Sequence, residues 1–277
     1  MGAEVTGIDL TGPVDGALLR QIEELFHERG VLVFRDQQLT EEQHIAFSRR
    51  LGDLEIHVAV QYLLPGHPEI LVVSNIVENG RNIGLADAGQ YWHSDLSYVA
   101  HPSRCSLLYA REVPEKNGRV LGETLFASAA YAYETLPDER KARLAKLRAI
   151  HRYGDRYQKQ QEAGGRAALS EEQLKKVPAV SHPVIRRHPF TGRPVVFVNE
   201  GFTGEIEGMA RDESDRLLRE LCEHITTAEA LYRHQWRKGD LTMWDNCLVQ
   251  HRAVKDYELP LRRLMHRTTV AGKVPAD

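Results

Sequence analysis

Short apolar runs of the kind that form buried strands recur along the whole chain, without the regular spacing of a βαβ array. Val31-Leu32-Val33-Phe34, Ile70-Leu71-Val72-Val73, Ser106-Leu107-Leu108-Tyr109 and Val195-Val196-Phe197-Val198 are each four residues long. Runs of this length with no polar alternation read as strands covered on both faces. Further short strands are expected at 232–237, 241–245 and 263–270. Between them lie helical patterns. Leu18, Leu19, Ile22, Leu25 and Phe26 recur at helical spacing, and Gly30 is placed to end that helix. Thr40 with Gln43 forms a capping-box pattern opening a helix through Leu51. Segments 128–136 and 138–149 read as helices divided by Pro137, and 212–225 carries Leu217, Leu218, Leu221 and Ile225 on one face. No GxGxxG follows a strand, which disfavours a dinucleotide fold. One α+β domain over residues 1–277 accommodates this order. The polar stretch 154–180, with Gly164-Gly165 inside it, is expected to be a mobile insertion or lid.

Composition narrows the function classes. With 36 Lys+Arg against 39 Asp+Glu the net charge is −3, which argues against a strongly basic nucleic-acid binder. No run approaches the roughly 18–20 apolar residues of a membrane span. The opening MGAEVTGIDL lacks the basic and apolar regions of a secretory leader and does not support myristoylation. Cys105, Cys222 and Cys247 contain no CxxC pair, so a thiolate zinc site is not expected and reduced thiols in a cytoplasm are the simplest reading.

The chemistry-bearing segment is Tyr91-Trp92-His93-Ser94-Asp95-Leu96-Ser97-Tyr98. In extended chain, residues i and i+2 share a face, so His93 and Asp95 can present an imidazole and a carboxylate to one ion. His251 is the best third candidate. Two histidines and one carboxylate on one side of an octahedron form the facial triad of non-haem Fe(II) oxygenases. A lone HxD is weak evidence, since a histidine satisfied by hydrogen bonds at a strand end fits it as well. The downstream pair Arg263 and Arg267 adds weight. The two share strand parity, and a guanidinium binds carboxylate bidentately while keeping its charge when desolvated. A basic exposed strand is the alternative.

Taken in order, Gly7-Ile8-Asp9-Leu10, Val33-Phe34-Arg35-Asp36-Gln37, Trp92-His93-Ser94-Asp95, Gly122-Glu123-Thr124-Leu125-Phe126, Phe197-Val198-Asn199-Glu200-Gly201-Phe202, Trp244-Asp245-Asn246, His251 and Arg263-Leu264-Met265-His266-Arg267 resemble the TauD/TfdA family of Fe(II)/2-oxoglutarate-dependent dioxygenases. The resemblance covers nearly the whole chain. It implies a distorted double-stranded β-helix, or jelly roll, with flanking helices. It implies Fe(II) on His93, Asp95 and His251, with O2 and 2-oxoglutarate as co-substrates. Thr124 and Arg263 would hold the distal carboxylate of 2-oxoglutarate. Arg267, His57 and Phe202 would contact a small anionic substrate, and a dimer or tetramer is implied. The chain departs from taurine-binding members at Val60, where they carry tyrosine, and at Gly89, where they carry asparagine. A substrate other than taurine is therefore expected. Cys247 reads as a packed small residue. Two rival functions fit parts of the pattern: a zinc hydrolase on the same triad, which leaves Thr124 and Arg263 unexplained, and a non-catalytic jelly-roll binding protein.

Overall fold

The computed structural model of the protein describes residues 1–86, 88–153 and 170–272. Its largest sheet runs β1 (Ala3–Val5), β2 (Val31–Phe34), β17 (Leu241–Asp245), β7 (Cys105–Glu112), β19 (Leu264–Val270), β4 (His67–Ser74) and β3 (Leu63–Leu64). All its pairings are antiparallel except β1 with β2. A second sheet orders β16 (Leu231–His234), β10 (Thr124–Ser128) and β18 (Val249–Ala253). A third orders β12 (Val180–Pro183), β11 (Arg148–His151) and β15 (Thr203–Ile206). Three hairpins complete the β-structure: β5 (Val77–Glu78) with β6 (Arg81–Asn82), β8 (Glu115–Lys116) with β9 (Arg119–Val120), and β13 (Ile185–Arg187) with β14 (Pro194–Val196).

Three apolar clusters show how the layers stack. On one face of the large sheet Leu32, Phe34, Leu107, Tyr109, Leu241 and Met243 pack with Ile22 and Phe26 of α1 (Gly16–Arg29) and Phe47 of α2 (Glu41–Arg49). On its other face Val31, Leu108, Ala110, Trp244 and Met265 meet Phe126 and Val249 of the second sheet. The outward Leu125 and Ala127 then pack with Leu217, Leu218, Leu221 and Ile225 of α6 (Arg211–Ile225). Each strand thus alternates between two apolar interfaces, so its sequence shows an unbroken apolar run instead of polar alternation.

Local signals set several boundaries. Asp15 caps α1 by accepting from the Ala17 and Leu18 amides, and Thr40 with Gln43 closes the capping box on α2. Gly30 ends α1 at φ 72°, and a Cβ there would stand 3.0 Å from Val249 and 3.1 Å from Leu248. Only glycine suits both the conformation and the contact. No helix among the described residues is long and apolar enough to cross a membrane.

Some expectations need correction. Segment 128–136 contributes α3 (Ala129–Glu134) only after β10 ends. The helix expected over 138–149 is α4 (Asp138–Leu144), after which the chain enters β11 between β12 and β15. Inter-strand pairing there overrides helical propensity. Strands β10 and β18 were not anticipated. Of the stretch expected to be a lid, 154–169 lies outside the described residues. Its remainder holds a capping box at Ser170 opening α5 (Glu171–Lys175), and β12 begins at Val180.

Burial also fixes an acid sensitivity. Burial depresses several imidazoles, among them His44 and His151 to about 3 and His182 and His266 to about 4. Neighbouring guanidiniums deepen each shift, Arg111 acting on His44 and His266 and Arg186 on His151 and His182. The unfolded chain protonates these groups near 6.5, so stability is complete above that pH and is lost as pH falls toward the folded values. The slope is up to about 1.4 kcal/mol per histidine per pH unit. For the metal-free protein, the expected drop in Tm between pH 7.5 and pH 5.0 is about 10 °C or more, measured by thermal denaturation. A flat profile over that range would contradict it.

Candidate metal centre and its surroundings

His251 sits in the middle of β18, and His93 pairs with it as an isolated antiparallel bridge. Their backbones exchange both hydrogen bonds, at 3.1 and 2.8 Å. Directly opposed residues project to the same side, and the two rings lie 4.1 Å apart between centroids. Asp95, two residues beyond His93, opens a turn in which Leu96 takes φ 53°. The extended chain around His93 is therefore a single bridge followed by a buried loop. The shared face of residues 93 and 95 survives, because the chain turns only after it.

The three side chains converge. Asp95 Oδ1 is 3.6 Å from His93 Nε2, and Oδ2 is 3.9 Å from His251 Nε2. One ligand atom from each lies within 4.8 Å of the others, and all three residues are buried. His93 Nδ1 is 2.9 Å from the Tyr91 carbonyl, which can only accept. That nitrogen must carry the ring proton, leaving Nε2 a lone pair aimed at the carboxylate. Two acceptors facing each other in a buried site are satisfied by a cation between them. Nitrogen, nitrogen and carboxylate oxygen suit a divalent transition metal.

Electrostatics keep the donors in metal-ready form. Burial alone would raise the Asp95 pKa, but the opposing interactions, the Arg267 guanidinium foremost, hold the carboxyl well below the usual range. Arg267 Nη1 donates to Oδ1 at 2.7 Å, and Ser106 Oγ donates to Oδ2 at 2.7 Å. Burial, then His93, pushes the His251 pKa well down, so its ring is neutral at pH 7.

Thr124 and Arg263 come together beside this triad. In the β10–β18 register Phe126 opposes His251 and Thr124 opposes Ala253, placing Thr124 on the His251 face. Trp236 Nε1 donates to Thr124 Oγ1 at 3.0 Å, and the Arg263 guanidinium carbon lies 5.9 Å from the Trp236 ring. Among the described residues neither the Thr124 proton nor the Arg263 guanidinium has a hydrogen-bond partner, and Arg263 is only 3% exposed. Its backbone is pinned by Asn75 and Ser74. Trp236, which links the two residues, carried no motif in the sequence.

Arg263 lies one residue before the strand, which begins at Leu264 and pairs with β4 without a slip as far as Arg267. The irregularity against β7 places its extra residue, Arg111, on β7. Both arginines are buried. Arg267 is not a spare cation, because Asp95 is its partner.

Phe202 stands edge-on to His93, with centroids 5.8 Å apart, and packs with Tyr91 and Tyr98. Tyr98 stacks on Tyr153 at 4.4 Å. His57 reaches the same wall from beyond Tyr153, at 6.2 Å, and shares a narrow cleft with Glu55, Leu96 and Arg267. That cleft adjoins a cavity of about 660 Å³, also lined by His57, Leu96 and Tyr98. Glu55, whose carboxyl is pushed up by burial, was not singled out from sequence. Cys247 is packed against the Ser103 carbonyl, its thiol pushed up to about 12 by burial.

A mixed α/β chain with a large antiparallel sheet and a buried His/Asp/His cluster defines a candidate metal-dependent enzyme. The family described as "Taurine catabolism dioxygenase TauD, TfdA family" matches residues 1–269, and the chain belongs to it. It is 36% identical over 278 residues to the alpha-ketoglutarate-dependent 2,4-dichlorophenoxyacetate dioxygenase of Cupriavidus pinatubonensis, covering 96% of this chain and 93% of that one. It is 28% identical to the alpha-ketoglutarate-dependent sulfate ester dioxygenase of Pseudomonas putida, over 99% of this chain and 88% of that one. Among solved structures it superposes with a TM-score of 0.81 on a taurine dioxygenase from Burkholderia xenovorans, at 32% identity over 100% of this chain and 88% of that one. The complex of AAD-2 with Mn(II) and N-oxalylglycine gives a TM-score of 0.80 at 32% identity, over 100% and 95%.

Proposed function

We propose that the protein is an Fe(II)- and 2-oxoglutarate-dependent dioxygenase that hydroxylates a small organic anion. The overall conversion is substrate C–H, O2 and 2-oxoglutarate to substrate C–OH, succinate and CO2. The observation that carries this reading is the buried, unpaired Arg263 with the Thr124 hydroxyl, on the same side of the second sheet as His93, Asp95 and His251. An unpaired buried guanidinium is costly and calls for an anion. A zinc hydrolase gives it no task. The facing sheets with the site between them support a distorted double-stranded β-helix.

In this reading His93, Asp95 and His251 hold the iron. The iron, when bound, supplies the oxidative chemistry on O2. Arg263 and Thr124 bind and orient the distal carboxylate of 2-oxoglutarate, and Trp236 fixes the Thr124 hydroxyl so that its proton is directed to that group. Arg267 and Ser106 keep Asp95 ionised and oriented. Phe202, Tyr91 and Tyr98 exclude water along the His93 side. His57, Arg267 and Phe202 border the substrate space, in keeping with relatives named for aryloxy acids and sulfate esters.

The closing test is substrate-dependent succinate release across a panel of aryloxy acids, alkyl sulfates, alkyl sulfonates and taurine. Neither the Val60 nor the Gly89 side chain can hydrogen-bond an ammonium, and a Cβ at Gly89 would lie 3.0 Å from His93 Cε1. A site lacking the expected polar partners discriminates strongly against such a substrate. The best anion is expected to exceed taurine by at least about tenfold in kcat/KM. Efficient taurine turnover, or a best substrate with no negative charge, would show the substrate class to be wrong.

A further inference from the structure

We infer that Asn246 is the positioning residue that aims the Asp95 carboxylate and thereby sets the metal affinity of the centre. The inference rests on the assignment of His93, Asp95 and His251 as the metal ligands. Asn246 lies one residue beyond β17 and is 1% exposed. Every polar atom of its side chain and backbone is engaged. Its Oδ1 accepts from the Asp95 amide at 3.3 Å and from Trp244 Nε1 at 3.0 Å. Its Nδ2 donates to Ser103 Oγ at 2.9 Å and to Ser106 Oγ at 3.0 Å. Its own amide donates to the Arg104 carbonyl, and its carbonyl accepts from Ser94 Oγ at 2.6 Å.

The polarity of this cage follows from one group. An indole N–H can only donate, so the atom facing Trp244 must be the amide oxygen, and the amide cannot flip. The nitrogen then faces the two serines and occupies an acceptor lone pair on each hydroxyl. Each serine keeps its single proton to give elsewhere. Both give it to Asp95: Ser106 to carboxylate Oδ2 at 2.7 Å, and Ser103 to the backbone carbonyl at 2.8 Å. Asn246 therefore governs three contacts to Asp95, one direct and two through serine protons whose direction it dictates. On the opposite side Asp95 Oδ1 is held by Arg267. Without the Ser106 proton the carboxylate is left to Arg267 alone, a cation that competes with a metal for it. Such outer partners of metal ligands typically alter affinity by about 10–100-fold.

The test titrates metal-free protein with Co(II), following the visible d–d bands, and records the Tm of each metal-free variant. Wild type and Asp95→Ala establish the reference. Failure of the wild type to bind one ion, or full retention of binding in Asp95→Ala, would overturn the ligand assignment itself. Asn246→Asp keeps the shape but replaces the donating amide nitrogen with an acceptor, drawing both serine protons away from Asp95. Ser106→Ala removes only the hydroxyl on the carboxylate. The expected result is a Co(II) dissociation constant raised about 10–100-fold in both, with altered band positions. A merely structural role would lower Tm and leave the dissociation constant unmoved. Should Asn246→Asp not fold, Ser106→Ala decides alone. A Co(II) dissociation constant within about threefold of wild type in folded Ser106→Ala would overturn the inference, since about tenfold is its lower bound.

Discussion

His93→Ala, Asp95→Ala and His251→Ala are each expected to abolish turnover and strip the protein of stoichiometric iron. The three donors come from two distant parts of the chain but one buried cluster, and the His93 lone pair faces the carboxylate across 3.6 Å. Removing either imidazole leaves two donors, too few to hold a borderline divalent cation against water. Removing Asp95 adds a second injury, because Arg267 then loses its buried partner and becomes an uncompensated cation beside the site. Asp95→Ala should therefore also lose more thermal stability than the histidine variants. Iron content by metal analysis and succinate release measured side by side check the expectation. Full iron stoichiometry together with wild-type turnover in His93→Ala and His251→Ala would remove the proposed assignment.

Arg263→Ala is expected to raise the KM for 2-oxoglutarate steeply with a smaller effect on the substrate KM. A buried carboxylate that loses its only counter-charge costs about 2–5 kcal/mol, which is roughly thirty- to several-thousand-fold in affinity. Arg263→Lys should recover part of this, because it restores the charge without the planar fork. Thr124→Val removes one hydrogen bond and should cost no more than about 1.5 kcal/mol, or roughly tenfold. The ranking Arg263→Ala above Thr124→Val follows from charge against dipole. An unaltered 2-oxoglutarate KM in Arg263→Ala would refute the role.

Much of this was legible in the chain. The capped helices α1 and α2 and the strands β2, β4, β7 and β17 are written in local signals: caps, a terminating glycine and apolar runs. His93 and Asp95 were legible because two residues of extended chain share a face. Strands β10 and β18 were not, although they carry Thr124 and His251. Thr124–Ser128 and Val249–Ala253 mix polar and apolar residues, because the face toward the large sheet carries both the site residues Thr124 and His251 and the packed Phe126 and Val249, while Leu125 and Ala127 pack on the helix side. Such a face satisfies no simple period. The helix expected to continue through residue 149 failed for a related reason: strand pairing to partners more than thirty residues away outweighed local preference.

By itself the sequence determined which residues could ligate a metal, which family the chain belongs to, where α1 ends and where α2 begins. These depend on side-chain identity and short-range backbone geometry, which any stretch of chain carries with it. Only the tertiary structure decided that Arg267 pairs with Asp95, that Trp236 lies between Thr124 and Arg263, and that Asn246, Ser103 and Ser106 gather around Asp95. Those facts are set by which groups are buried together. In a low-dielectric interior an unpartnered donor or acceptor is costly, and the partners of Asp95, Thr124 and Asn246 lie up to 172 residues away in the chain.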